Sequence, residues 1–162
     1  MHVINNLKPI YNKNSKILIL GAMPSVISRK ENFYYANKTN RFWKVFEVIF
    51  HVKLTTTLEK IRFLSYHNIA LWDIIKECDI VGSSDSSIKN VITNDIKNML
   101  TKSNINYIFT TGKIAYNYYN KFLKSIIKKD AIYLPSPSSA NAAFSLNDLV
   151  NEYKIILKYL NH

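Results

Sequence analysis

Glycine and cysteine are scarce in this chain of 162 residues, which holds three glycines (Gly21, Gly82, Gly112), one cysteine (Cys78) and four prolines. A lone cysteine excludes an internal disulfide and a cysteine cage for zinc. Neither phosphate-binding glycine pattern, Gly-x-x-x-x-Gly-Lys or Gly-x-Gly-x-x-Gly, is present, and there is no Gly-x-Ser-x-Gly nucleophile elbow. The histidines His2, His51, His67 and His162 lack paired ligand spacing, so no metal site is expected; His51 and His67 fall at helix ends, where structural roles suffice. No apolar run approaches the roughly 20 residues of a membrane span, and no signal-type apolar segment follows Met1. The expectation is a soluble, cytoplasmic monomer with no membrane partner and no cofactor.

Acidic residues are also few, 11 against 22 lysines and arginines, leaving a formal charge of +11. A surface this cationic favours phosphate polyanions or acidic membranes and disfavours cationic partners. Only Arg29, Arg41 and Arg62 are arginines, and the abundance of Lys, Asn and Ile also follows from A- and T-rich coding. With 48% hydrophobic residues the chain has ample material for a core, which excludes wholesale disorder.

Lys16-Ile17-Leu18-Ile19-Leu20, ending at Gly21, reads as a buried parallel strand, and Tyr107–Thr111 ends at Gly112 in the same way. Ile69–Trp72 and Ala131–Leu134, the latter stopped by Pro135, are two further strands. Helical stripes run through Phe42–Phe50, Ile88–Leu100, Ile114–Ile127 and Leu146–Leu160, with a weaker helix over Leu58–Tyr66. Alternating strands and helices predict a single α/β domain over residues 1–162, with a parallel sheet covered on both faces. Ligands of such sheets bind beyond the carboxyl ends of the strands, so the loops opening at Gly21, Asp73, Gly112 and Pro135 are the candidates.

The first loop, from Gly21-Ala22-Met23-Pro24-Ser25 to Arg41, reads as about twenty residues without helical period and sets Phe33, Tyr34 and Tyr35 beside Asn37, Asn40, Arg29, Lys30, Lys38 and Arg41. Aromatic faces beside amides suit a planar heterocycle, whose ring stacks while the amides read its edge or orient a water. Phe42 and Trp43 open the helical stripe and read as core. The second loop, Leu134-Pro135-Ser136-Pro137-Ser138-Ser139-Ala140-Asn141-Ala142-Ala143-Phe144, offers hydroxyls and backbone amides before a helix, a natural phosphate clamp. The third joins Trp72-Asp73 to Gly82-Ser83-Ser84-Asp85-Ser86-Ser87. Asp85 or Ser86 reads as the cap of an Ile88 helix, whereas Asp73 could face a pocket.

Together, Gly21–Ser25, Phe33-Tyr34-Tyr35-Ala36-Asn37-Lys38-Thr39-Asn40-Arg41-Phe42-Trp43-Lys44-Val45, Ala70–Asp73, Gly82–Ile88, Gly112-Lys113 and Leu134–Phe144 resemble the uracil-DNA glycosylase superfamily, most of all its hypoxanthine-DNA glycosylases. The Asn-Arg-Phe-Trp-Lys-Val stretch also resembles mismatch-specific uracil glycosylases. The resemblance spans about residues 16–160. It implies a three-layer α/β/α sandwich with a four-stranded parallel sheet, and hydrolysis of the N-glycosidic bond of a deaminated base flipped out of DNA.

Two departures argue against a classical uracil enzyme: Met23 stands where the superfamily carries its water-activating Asp or Asn, and Leu134 where it carries His. The resemblance then places the water-orienting amide at Asn40, with Asn37 second. It puts Tyr35, Ala22, Met23, Trp72 and Asp73 around the base. Ser25, Lys38, Arg41, Lys113, Ser136, Ser138, Ser139, Asn141 and Ala142 are left along the DNA. Lys38 replaces a usual Pro. Uracil or mismatch excision, and a catalytically silent reader of damaged DNA, are the alternative functions.

Overall fold

A computed structural model describes residues 1–82 and 84–160. Four parallel strands, β2 (Ile17–Gly21), β3 (Ile69–Asp73), β6 (Tyr107–Thr111) and β7 (Ala131–Leu134), lie in the order β3-β2-β6-β7. Ile17–Leu20 are fully buried and alternate between the faces, as a strand covered on both sides requires. Ile17 and Ile19 pack with α2 (Phe42–Phe50), α3 (Thr57–Tyr66), α7 (Leu146–Tyr153) and α8 (Ile155–Leu160). Leu18 and Leu20 pack with α4 (Ile96–Thr101), α5 (Lys113–Tyr118) and the turn Tyr119–Leu123, which α6 (Lys124–Ile127) continues. The result is the expected three-layer α/β/α sandwich.

Helix boundaries follow side-chain chemistry. Thr56 with Glu59, and Ser145 with Asp148, form capping boxes at the starts of α3 and α7. His51 ends α2 in the left-handed region at φ 56°, and His67 ends α3 with its ring against Phe50 and Phe63. Both histidines therefore serve the frame. Phe42 and Trp43 are core, as expected, and the Trp43 indole donates to Tyr34 O at 3.0 Å.

Three expectations are corrected. The apolar stripe over Ile88–Leu100 is not one helix: Lys89–Thr93 is strand β5, and α4 begins only after Asp95, which caps it. The β-branched Val91, Ile92 and Thr93 pack on a pleated surface better than on a helix. With β1 (His2–Ile4) and β4 (Ile75–Asp79), β5 forms a second, antiparallel sheet in the order β1-β4-β5, whose core holds Val3, Ile75 and Cys78. Asp85 and Ser86 accordingly lie in a 3-10 turn, Asp85–Ser87, rather than capping a helix. The first loop contains a helix, α1 (Val26–Glu31), with Ser25 as its cap. Ser83 and His162 lie outside the described residues.

Arg41 joins the first and second loops above the sheet. Its backbone N–H donates to Pro137 O at 2.9 Å, and its guanidinium donates to the carbonyls of Pro137, Ser138, Asn141 and Phe144. The Tyr153 hydroxyl holds Pro135 O from below at 2.7 Å. Lysine, a compact charge without the planar fork, cannot meet four carbonyls at once. Arg41→Lys is expected to cost about 2–4 kcal/mol, the scale of several charge-assisted hydrogen bonds left unmade, measured as a lower midpoint in urea unfolding.

Candidate functional site

The carboxyl ends of β2, β3, β6 and β7 open into a cleft of about 470 Å³, the scale of a small-molecule site. Its lining includes Gly21, Ala22, Met23, Ser25, Tyr35, Asn37, Asn40, Asp73, Thr111, Lys113, Ser136, Ser138 and Ser139. Eleven of the residues singled out from sequence, all but Gly21 and Thr111 in that set, thus meet in one space.

Tyr35 stands at its centre. Its ring stacks on Phe42 with centroids 3.9 Å apart and planes 7° from parallel, and its hydroxyl lies 3.3 Å from Thr111 Oγ1. The backbone there is left-handed, φ 51°, a conformation that costs a non-glycine residue of order 1–2 kcal/mol. The aromatic stack and the neighbouring anchors hold it: Ser28 Oγ, buried under α1, accepts from Ala36 N at 3.1 Å, and the Tyr34 hydroxyl donates to Lys8 O at 2.6 Å.

Gly21 is required by close approach. A Cβ built there would lie 2.8 Å from Asp73 Oδ1 and 3.4 Å from the Tyr35 hydroxyl, so the carboxyl and the phenol converge over its Cα. Asp73 is 4% exposed, and the Asn5 amide donates to its Oδ2 at 3.3 Å. Asn5 is itself fixed, donating to Ile75 O and accepting from Leu7 N, while Asn94 donates to Asp73 O. Burial raises the Asp73 carboxyl to about 7, against the smaller opposing pull of Asn5. The same burial, with the Asp73 charge nearby, pushes the Tyr34 and Tyr35 hydroxyls up and keeps them neutral.

The two candidate amides differ. Both lone pairs of Asn37 Oδ1 are taken by Thr39, through its N–H at 3.0 Å and its hydroxyl at 2.9 Å. Asn40 Oδ1 accepts one such bond, from Phe42 N at 2.9 Å, which fixes the amide at the start of α2 and leaves it a second acceptor position.

The expected DNA-facing residues divide. Lys38 and Lys113 are exposed at the rim. Ser139 bridges the two loops through Thr39 Oγ1 at 3.2 Å; Ser136 and Ser138 accept from Ser138 N and Ala140 N within their own turn. Ser25 caps α1, accepting from Ser28 N at 3.1 Å. Asn141 folds back to Ser136 O and, with exposed Ala142, lies outside the cleft lining. Arg41 turns inward on the carbonyls described above. Trp72 is the clear misplacement: it points away from the cleft into both core layers, its indole donating to Leu7 O at 3.3 Å. Alternation along β3 explains this, since Asp73 faces the cleft and its neighbour cannot.

Sequence reasoning missed Asn5, Ser28 and Thr111. Thr111 could have been found from its place beside Gly112 and Ser28 from its loop after Gly21, but nothing in sequence joins Asn5 to Asp73, 68 residues away. Among the described residues no three His, Cys, Asp or Glu side chains cluster in a metal-binding arrangement, and no helix is long and apolar enough to cross a membrane.

An aromatic ring, a buried carboxyl and a fixed amide thus meet in one cleft at the carboxyl edge of the parallel sheet of this α/β protein. A model of the uracil DNA glycosylase superfamily matches residues 8–160, and the chain belongs to that superfamily. It is similar to a protein of Methanosarcina acetivorans described as a hypoxanthine DNA glycosylase, 33% identical over 143 residues that cover 85% of this chain and 88% of the relative. A protein of Methanosarcina barkeri with the same description is 29% identical over 82% and 85% of the two chains. A solution NMR structure from Methanosarcina acetivorans, provisionally described as a uracil DNA glycosylase, superimposes with a TM-score of 0.84 at 29% identity over the whole of both chains.

Two measurements check the Gly21–Asp73 contact. Gly21→Ala forces the buried carboxyl aside and is expected to destabilise the fold by about 1–3 kcal/mol in chemical denaturation, the usual cost of overpacking. For Asp73 the folded state keeps its proton up to about 7, whereas an unfolded aspartate loses it near 3.8. Stability therefore falls as pH rises through that window, by roughly 1.4 kcal/mol per unit of pKa difference at most. Asp73→Asn removes this penalty, so its melting temperature relative to wild type is expected to rise from pH 4 to pH 8.

Proposed function

We propose that this protein is a monofunctional DNA glycosylase that removes hypoxanthine from DNA, the first step of base excision repair. The carrying observation is the convergence of the Tyr35 platform, the Asp73 carboxyl and the Asn40 amide on one cleft beside a cationic rim. Phe42 occupies one face of Tyr35, and the flipped base stacks on the other. The backbone around Ala22 and Met23, with Asp73, meets the base edge. Extrusion is needed because the glycosidic carbon is inaccessible within the duplex stack.

Asn40 orients the water. With Met23 at the motif position, no strong base sits there, and an amide serves only if the sugar is already cation-like when water arrives. Purine departure gives that situation, which favours hypoxanthine over uracil. Lys38, Lys113 and the Ser136–Ser139 turn would hold phosphates, and the other lysines would add a salt-sensitive attraction to DNA. The descriptions of the two Methanosarcina relatives support the same substrate.

The test is a labelled duplex containing hypoxanthine, uracil or xanthine, incubated with the protein and then treated with alkali. Strand breaks only after alkali and mainly with hypoxanthine are expected. Preference for uracil would move the assignment to the alternative substrate, and retained binding without breaks on any substrate would leave a reader of damaged DNA. Asn40→Ala is expected to lower single-turnover excision by about 100-fold or more while keeping DNA affinity within a few-fold. Unchanged excision would remove Asn40 from the water's path.

A further inference from the structure

We propose that Asp73 is the general acid of this reaction, handing its proton to a ring nitrogen of the leaving purine as the glycosidic bond breaks. The inference rests on the glycosylase reading and adds a catalytic role to a residue otherwise counted as a contact to the base edge.

Three observations carry it. Asp73 is the buried carboxyl of the cleft, its Oδ1 converges with the Tyr35 hydroxyl over Gly21, and Asp73 and Tyr35 line the same space. Among the described residues its one side-chain partner is the Asn5 amide, at 3.3 Å on Oδ2, and no lysine, arginine or histidine forms an ion pair with it. An ionised carboxylate so poorly compensated would be costly in this place, so the site favours the protonated acid, with a pKa near 7. Third, Met23 removes a strong base from the motif position, so the reaction must gain its rate from the leaving group instead of the nucleophile.

The step balances. The C1′–N9 electron pair passes to the base, and the Asp73 proton moves to purine N7 or N3, giving neutral hypoxanthine. Water held by Asn40 adds its oxygen to C1′ and loses one proton to the Asp73 carboxylate, directly or through solvent. One water is consumed and the acid is restored.

The ionisable groups around Asp73 are the Tyr34 and Tyr35 hydroxyls, Arg29 of α1, which donates to Pro24 O, and Asp85 and Lys113 at the rim. β2 and the carboxyl end of β6 contribute none.

The experiment is single-turnover excision from a hypoxanthine duplex between pH 5.5 and 9. Wild type is expected to slow about tenfold per unit above pH 7, and Asp85→Asn to keep that descending limb. Asp73→Asn, isosteric and neutral, is expected to be at least 100-fold slower at pH 6, flat with pH, and unchanged in duplex affinity. Because a structural defect could also slow it, wild type is assayed on 7-deaza and 3-deaza analogues of the base. One of the two should be slowed as much as Asp73→Asn slows hypoxanthine, and combining it with Asp73→Asn should add nothing. A descending limb that survives in Asp73→Asn, or two deaza substrates that keep full rate, overturns the general acid alone. Wild type that excises nothing at any pH overturns the glycosylase reading and this role with it.

Discussion

The site exists because Arg41 holds two loops together that the sheet alone would leave apart. Each loop leaves the carboxyl edge of a different strand, and both send apolar side chains into one core layer, Phe33 and Tyr34 from the first and Leu134 and Phe144 from the second. A guanidinium reaching four carbonyls across them, with its own backbone N–H on Pro137, replaces the hydrogen bonds those loops would make with water. Tyr153 fixes the lower end of the second loop at Pro135. Once the loops are locked, Asn40 stands at a fixed place before α2, and Tyr35 is pressed onto Phe42 in a backbone conformation it would otherwise avoid. Among the cations predicted to touch DNA, this one is structural.

A second constraint is electrostatic. Holding a carboxyl at the end of β3 with one long amide contact sacrifices stability at neutral pH, and the fold could relieve the cost with an asparagine. Keeping the acid makes sense if its proton is used. On the proposed mechanism the division of labour differs from a base-driven hydrolysis: the amide would place a weak nucleophile, and the carboxyl would improve the leaving group. Gly21 serves the same end by leaving room for the carboxyl and the Tyr35 hydroxyl above its Cα.

The parallel sheet was legible because short aliphatic runs such as Ile17–Leu20, too short for a buried helix, end abruptly at glycine or proline, as strands buried on both faces do. The small antiparallel sheet was not. Ile88, Val91, Ile92, Ile96, Met99 and Leu100 fit a helical period by coincidence, and the period outweighed the β-branched run Val91-Ile92-Thr93 that forms β5. In the site, the loop residues Tyr35, Asn37, Asn40 and Ser136–Ser139 were readable from their motifs, and all line the cleft. Trp72, placed at the base by the resemblance, precedes Asp73 on β3 and lies outside the cleft lining, with its indole on Leu7 O. Arg41, placed along the DNA by the resemblance, spends its guanidinium on carbonyls of the second loop, a pairing between segments about 100 residues apart that sequence does not display. Asn5 was invisible, since its link to Asp73 depends on β1 pairing with β4, a contact between distant segments.

The most direct test is a crystal structure of the protein on a duplex carrying 2′-fluorinated deoxyinosine, which resists cleavage. The account predicts hypoxanthine out of the helix, stacked on the open face of Tyr35, with a ring nitrogen within hydrogen-bond distance of Asp73 and a water between Asn40 and C1′. A base left in the duplex stack, or one lodged away from Tyr35 and Asp73, would contradict it.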